Sequence, residues 1–202
     1  MTAGRLTVAR HAAQIPAVSE PVVSSTRLAI VIVIVAETML FAGLVGMYLV
    51  FRLSAPEWPP PDLPRLPIGL TAVNSLVLFA SVVPLTRALR GAQRHAAGWR
   101  SGLELAAFLG ALFLCIQGLE WVRLVRHGLT PGGSIYGGSF YLLIGCHAVH
   151  VFVALVWLVT LAVLARRAHP GWSSSAGLEM CTAYWYFVCG LWAFLFVLVY
   201  LN

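Results

Sequence analysis

Apolar residues gather along the chain into five long blocks, at about residues 28–51, 68–89, 102–125, 138–165 and 178–201. Each reaches the length of about 20 mostly apolar residues that a helix needs to cross a bilayer. The breaks between them are short and carry chain-stopping residues. Pro56, Pro59, Pro60, Pro61, Pro64 and Pro67 crowd the first, where proline ends a helix and keeps the chain extended. The Thr130–Ser134 turn and the Arg166–Gly171 stretch mark two others. The pattern predicts an all-α polytopic membrane protein, a bundle of five transmembrane helices. The domain reading is a tail over 1–26 and a transmembrane domain over 27–202. The tail has Arg, Pro and Ser but no compact apolar run, so it is not read as a cleavable signal. Pro84 is expected to kink the second span near its end, and the long fourth span is expected to tilt.

Composition narrows the class. Apolar residues make up 60% of the 202 and charged residues 10%, against about 45–50% and about 25% in soluble domains. A water-soluble enzyme, a disordered regulator and a nucleic-acid binder are set aside. The net charge of +6 comes from 13 basic residues, all arginine, scattered through the connections. Nucleic-acid binding would need a clustered basic face; arginine beside apolar spans reads as a topology signal. Arg5, Arg10, Arg27, Arg87, Arg90, Arg94, Arg100, Arg166 and Arg167 fall on one side. Arg52, Arg65, Arg123 and Arg126 fall on the other. The excess puts the N-terminus in the cytoplasm and the C-terminus outside. Cys115, Cys146, Cys181 and Cys189 form no CxxC pair and lie in apolar stretches, so they read as small buried residues rather than a disulfide framework or zinc site.

Polar groups inside the spans carry the information, because each costs about 2.5–3.5 kcal/mol to insert. Glu37 lies in the first span. A carboxyl there is protonated or paired; it reads either as a proton-handling or interface carboxylate or as a neutral group bonded across a helix contact. Gln117 and Glu120 share a face of the third span, and Arg123 extends it as a pairing partner for Glu120. His147 and His150 lie one turn apart on the fourth. They resemble half of a metal site, but His11, His95, His127 and His169 fall in tails, loops or span ends, so no second span supplies haem ligands. The two imidazoles are expected to bond carboxyls or carbonyls of neighbouring helices. Asn74, Ser75 and Ser81 read as helix–helix glue, and Ala42, Gly43 and Gly46 as a surface for close helix approach. Trp58, Trp121, Trp172 and Tyr136 suit an interfacial aromatic belt. Glu179 opens the fifth span, where an acid favours a helix N-terminus.

These positions occur in a recognisable combination. Ala36-Glu37-Thr38-Met39-Leu40-Phe41-Ala42-Gly43, Val73-Asn74-Ser75 through Ser81, and Leu109-Gly110 through Phe113 with Gln117, Glu120 and Trp121 follow one another in order. Tyr136-Gly137-Gly138-Ser139-Phe140-Tyr141 with Gly145, His147 and His150 comes next, then Glu179, Tyr184-Trp185, Phe187-Val188, Trp192 and Tyr200. Over about residues 30–201 the chain resembles the cytochrome c oxidase subunit III family of haem–copper oxidases, in a five-helix form that lacks the two leading helices of the long form. The resemblance implies a non-catalytic subunit of a terminal oxidase in aerobic respiration, in a bacterial plasma membrane. It packs on subunit I beside other oxidase subunits and supports assembly and turnover. It implies no cofactor in this chain, with haem and copper in partner subunits, bound phospholipid as a further ligand, and no nucleic acid. The family's equivalent of Glu37 lies near a proposed oxygen entry route.

Two departures stand out. The family's Tyr-Trp-His-Phe-Val-Asp reads Tyr184-Trp185-Tyr186-Phe187-Val188-Cys189 here, and its Gly-Phe-His-Gly-x-His reads Gly145-Cys146-His147-Ala148-Val149-His150. An accessory subunit of a nitric oxide reductase of the same superfamily is the alternative. An independent membrane transporter is the third reading, weakened because Pro84 has no counterpart in another span.

Overall fold

The computed structural model describes residues 25–61, 63–167 and 175–201. The tail 1–24, with His11, lies outside them, as do His169 and Trp172. The described chain is five helices, α1 (Ser25–Ser54), α2 (Ile68–Gln93), α3 (Trp99–Arg126), α4 (Ile135–Arg167) and α5 (Ser175–Tyr200), each long and apolar enough to cross a membrane. Among the described residues there is no strand. The chain is a multi-pass membrane protein.

Turn chemistry explains the helix ends. After α3 the chain reverses through Gly128 at φ 95°, and Leu129 N–H bonds Leu124 O at 3.0 Å. This is the closure that needs a left-handed residue, which glycine adopts without strain. The α2–α3 turn uses the same device with His95 at φ 52°, closed by Ala96 N–H on Gly91 O at 2.9 Å. Ser134 Oγ caps the start of α4 by accepting Gly137 N–H at 3.0 Å. Helix α2 is continuous past Pro84 to Gln93. The proline carbonyl lies against Gly102, where an added Cβ would come within 2.8 Å of it. Small residues let α2 and α3 approach most closely: Gly91 meets Trp99, and Gly102 meets Ala88.

Packing is uneven. Helix α5 lies between α2 and α4, α3 lies against α2 and α4, and α1 rests on α4 and α5. The core is built from large rings and aliphatics, with Phe41, Tyr48, Phe113, Phe140, Trp185 and Trp192 almost fully buried. Leu, Val, Ile and Phe cover the outside instead, as in Phe108, Leu119, Val149 and Phe152. In a membrane such a face needs no covering from water, so a bundle of this kind is held by close packing and hydrogen bonds rather than by hiding apolar surface. The proline-rich loop folds back, and Trp58 sits edge-on between Tyr48 and Tyr136, with ring centroids at 5.7 and 4.9 Å. Trp121 packs edge-on to Tyr141. Trp58, Tyr136 and Trp121 thus close the bundle's interior as well as marking its ends.

Candidate intramembrane polar site

Two polar layers and a seam run through the bundle. The first joins α1, α4 and α5. Glu37 is about one-fifth exposed, its side chain at 18%. The Tyr184 hydroxyl lies 2.9 Å from both of its carboxyl oxygens. His150 Nε2 stands 3.9 Å from Glu37 Oε1, and His150 Nδ1 is 2.7 Å from Cys146 O. A carbonyl only accepts, so Nδ1 carries the hydrogen and Nε2 is left to face the carboxyl. Phe41 covers the pair edge-on to His150 at 5.1 Å. The layer ties α1, which has few other neighbours, to the rest of the bundle.

The second layer joins α2, α3 and α5. Glu120 is 1% exposed. Its Oε1 meets the Thr71 hydroxyl, and its Oε2 accepts Gln117 Nε2–H at 3.1 Å. Gln117 Nε2 also reaches the Tyr200 hydroxyl at 3.4 Å. One turn away, Asn74 Nδ2–H donates to Phe113 O at 3.1 Å. Glu120 makes no ion pair with Arg123, contrary to expectation. Arg123 is exposed near the end of α3, where a long cationic side chain reaches water, while Glu120 points at α2.

Between the layers, α5 is laced to α2 by hydroxyls. Trp192 Nε1–H donates to Ser75 Oγ at 2.8 Å, Trp185 Nε1–H donates to Ser81 Oγ at 3.0 Å, and Tyr186 shares a hydrogen bond with Thr86. Tyr186, one of the two departures in the last helix, thus works as a tether to α2. Cys189, the other, is a buried apolar filler. Nothing in the sequence pattern marked Thr71, Thr86 or Tyr184 as partners, because threonine and tyrosine in a span carry no charge cost that would flag them.

Four further expectations need correction. His147 is 1% exposed, yet neither ring nitrogen has a partner. It stacks on Trp192 at 5.2 Å instead of bonding a carboxyl or carbonyl. Truncation to alanine is therefore expected to cost about 0.5–1.5 kcal/mol of ring contact plus the void. His147→Phe, which keeps the stack and removes two unpaired nitrogens, should be neutral or stabilising. A thermal-shift comparison of the two variants reads this directly.

Gly43 and Gly46 face outward, and nothing of this chain lies within 4 Å of where their Cβ atoms would be. They mediate no close approach inside the bundle. Glu179 is not at the helix end, since α5 starts at Ser175; it pairs with Arg27 of α1 at 3.0 Å. Cys115 is exposed on the outer face of α3, while Cys181 and Cys189 are buried and Cys146 is half-buried. Among the described residues no group of three or more His, Cys, Asp or Glu is placed to hold a metal. His147 and His150 stay on one helix without a third ligand.

The comparisons with known proteins agree with this geometry. The family model for cytochrome c oxidase subunit III matches residues 7–202. A cytochrome c oxidase subunit 3 of Synechocystis is 36% identical over 176 residues, covering 85% of this chain and 73% of the relative. One of Corynebacterium diphtheriae is 33% identical over 169 residues, covering 81% and 82%. One of Thermostichus vulcanus is 29% identical over 178 residues, 86% of each. With the match running through all five helices and both polar layers, the chain belongs to the cytochrome c oxidase subunit III family.

Proposed function

We propose that this chain is the non-catalytic subunit III of a haem–copper terminal oxidase, packed on the catalytic subunit I and supporting its assembly and turnover. The single observation that carries the reading is the family match over residues 7–202. The relatives named above are called cytochrome c oxidase subunit 3, and no observation favours the nitric oxide reductase partner or the transporter. In this reading haem and copper reside in partner subunits, and the exposed apolar faces meet phospholipid or those subunits. The arginine asymmetry supports a cytoplasmic N-terminus in a bacterial plasma membrane.

The outer face of α1 is the docking surface in this reading. Met39 is 71% exposed, and Gly43, Gly46 and Val50 continue the same stripe. Small residues there admit a partner helix closely. Gly46→Leu meets nothing within this chain, so it should leave the chain's own stability unchanged while lowering the amount of partner that co-purifies. Full retention of the partner would remove α1 from the interface. Glu37→Gln keeps shape and polarity, so the complex should assemble while sustained turnover falls. Turnover and its decay indistinguishable from wild type would leave Glu37 a packing residue.

The deciding experiment is purification of the chain from its native membrane in mild detergent, with the co-purifying subunits and a reduced-minus-oxidised spectrum recorded together. A large haem-bearing partner that reduces oxygen is expected. A chain that comes away alone, folded and colourless, overturns the reading.

A further inference from the structure

The layer around Glu120 has no task in the reading above, and its hydrogen bonds contain a proton count. Thr71 Oγ1 touches two oxygens, Pro67 O at 3.0 Å and Glu120 Oε1. A hydroxyl has one hydrogen to give. The Pro67 carbonyl also accepts Thr71 N–H at 3.2 Å, so two proton placements fit: Thr71 donating to Glu120, or Thr71 donating to the carbonyl with Glu120 Oε1 donating to Thr71. Burial without a paired cation favours the second. The carboxyl then carries a hydrogen on Oε1, and Oε2 accepts from Gln117. No cation lies within ion-pair distance of Glu120 among the described residues, and a bare carboxylate buried inside the bundle would be costly.

Two further groups point to water. Gln117 Oε1 and Asn74 Oδ1 are buried acceptors with no partner. They lie in the same α2–α3 seam as Glu120, and buried acceptors of this kind are the usual hosts of internal water. A cavity of about 340 Å³ lies at this end of the bundle, lined by Trp58, Arg65, Ile68, Tyr136 and Tyr200. Arg65 and Ile68 are exposed, so the cavity reaches the surface. Tyr200 forms part of its wall and is one hydrogen bond from Gln117.

We propose that Glu120 is a proton-holding acid inside the membrane, loaded through this cavity from the aqueous phase beside the proline-rich loop. Water entering from the cavity beside Tyr200 meets the carboxyl along the unpartnered Gln117 Oε1 and Asn74 Oδ1. On release the Glu120 O–H bond breaks and the hydrogen joins that water as hydronium, and loading is the reverse. Gln117 Nε2, a donor to both Tyr200 and Glu120, orients the path and relays no proton. The other ionisable groups around it are Arg123 on its own helix, Tyr200 on α5, Tyr136 on α4 and Arg65 in the cavity wall. The proposal rests on the membrane fold and not on which catalytic chain accompanies it, so it stands or falls separately from the oxidase reading.

Infrared spectroscopy of the purified native complex tests it. The difference between wild type and Glu120→Gln should contain a carboxylic C=O stretch that shifts in deuterated water. Ile68→Trp, which adds bulk at the exposed mouth of the cavity, should slow that shift about tenfold or more, because exchange then waits on local opening of the bundle. Thr71→Val should move the stretch to higher frequency by removing its hydrogen-bond acceptor, and Thr71→Ser should restore it. These two read the native glutamate even if Glu120→Gln fails to assemble. No Glu120-dependent stretch, a stretch indifferent to Thr71→Val, or an exchange rate unchanged in Ile68→Trp each overturns the proposal.

Discussion

Trp192→Ala is expected to destabilise the bundle by about 3–5 kcal/mol, the cost of emptying a large buried aromatic site. Its indole is almost fully buried and is the meeting point of four helices. It stacks on His147 of α4 at 5.2 Å, meets Phe113 of α3 edge-on at 5.2 Å, and donates to Ser75 of α2 at 2.8 Å. Lipid cannot substitute for these contacts, because the void is shut inside the bundle and forfeits dispersion on every side. Trp192→Phe keeps most of the ring and loses the Ser75 bond, so its cost should be nearer the roughly 0.6 kcal/mol of an interhelical hydrogen bond in a membrane. Denaturation midpoints in mixed micelles measure both. Equal midpoints for the two variants would show that the hydrogen bond, not the ring, carries the contact.

Gly110→Val should cost about 3 kcal/mol, the upper end of the overpacking range. A Cβ at Gly110 would stand 2.5 Å from Trp185 Cη2 and 2.9 Å from Cζ2, with Leu155 Cδ1 at 3.4 Å. The indole has nowhere to go: it is 1% exposed and anchored to Ser81 Oγ at 3.0 Å. Relief requires either moving α3 from α5 or breaking that bond. Trp185→Phe should therefore rescue part of the loss, a coupling that a double-mutant cycle isolates. Strict additivity of the two substitutions would mean that the clash is absorbed elsewhere.

Much of the candidate site was legible before the fold was known, because charge in a membrane span is conspicuous. Glu37, Gln117, Glu120, His147 and His150 could be singled out on insertion cost alone. Their partners could not. Tyr184 reads as one more ring in an aromatic-rich helix, and Thr71 as a neutral residue, until helix packing brings them to the carboxyls. Spacing misled for Glu120 and Arg123. A three-residue step puts two side chains on one face, but their heights differ, and one reaches into the bundle while the other reaches water. His147 shows the same limit: a buried imidazole invites a hydrogen-bond partner, yet here ring stacking fills its surroundings.

The amino-acid sequence by itself determined the class, the number of spans and the positions that cannot face lipid without cost. Those follow from hydropathy and length, which are local. The family followed too, because its motifs are ordered along the chain. Tertiary structure alone decided which neighbours each polar group met. It turned Gly43 and Gly46 outward, set Glu179 against Arg27 across two helices, and joined Asn74, Gln117 and Glu120 into one layer beside a cavity. In a bundle whose helices are apolar all round, periodicity points to no single inner face. Rotation about each helix axis is set by packing, by small residues at the crossings and by a few interhelical hydrogen bonds, and these exist only once the helices are assembled.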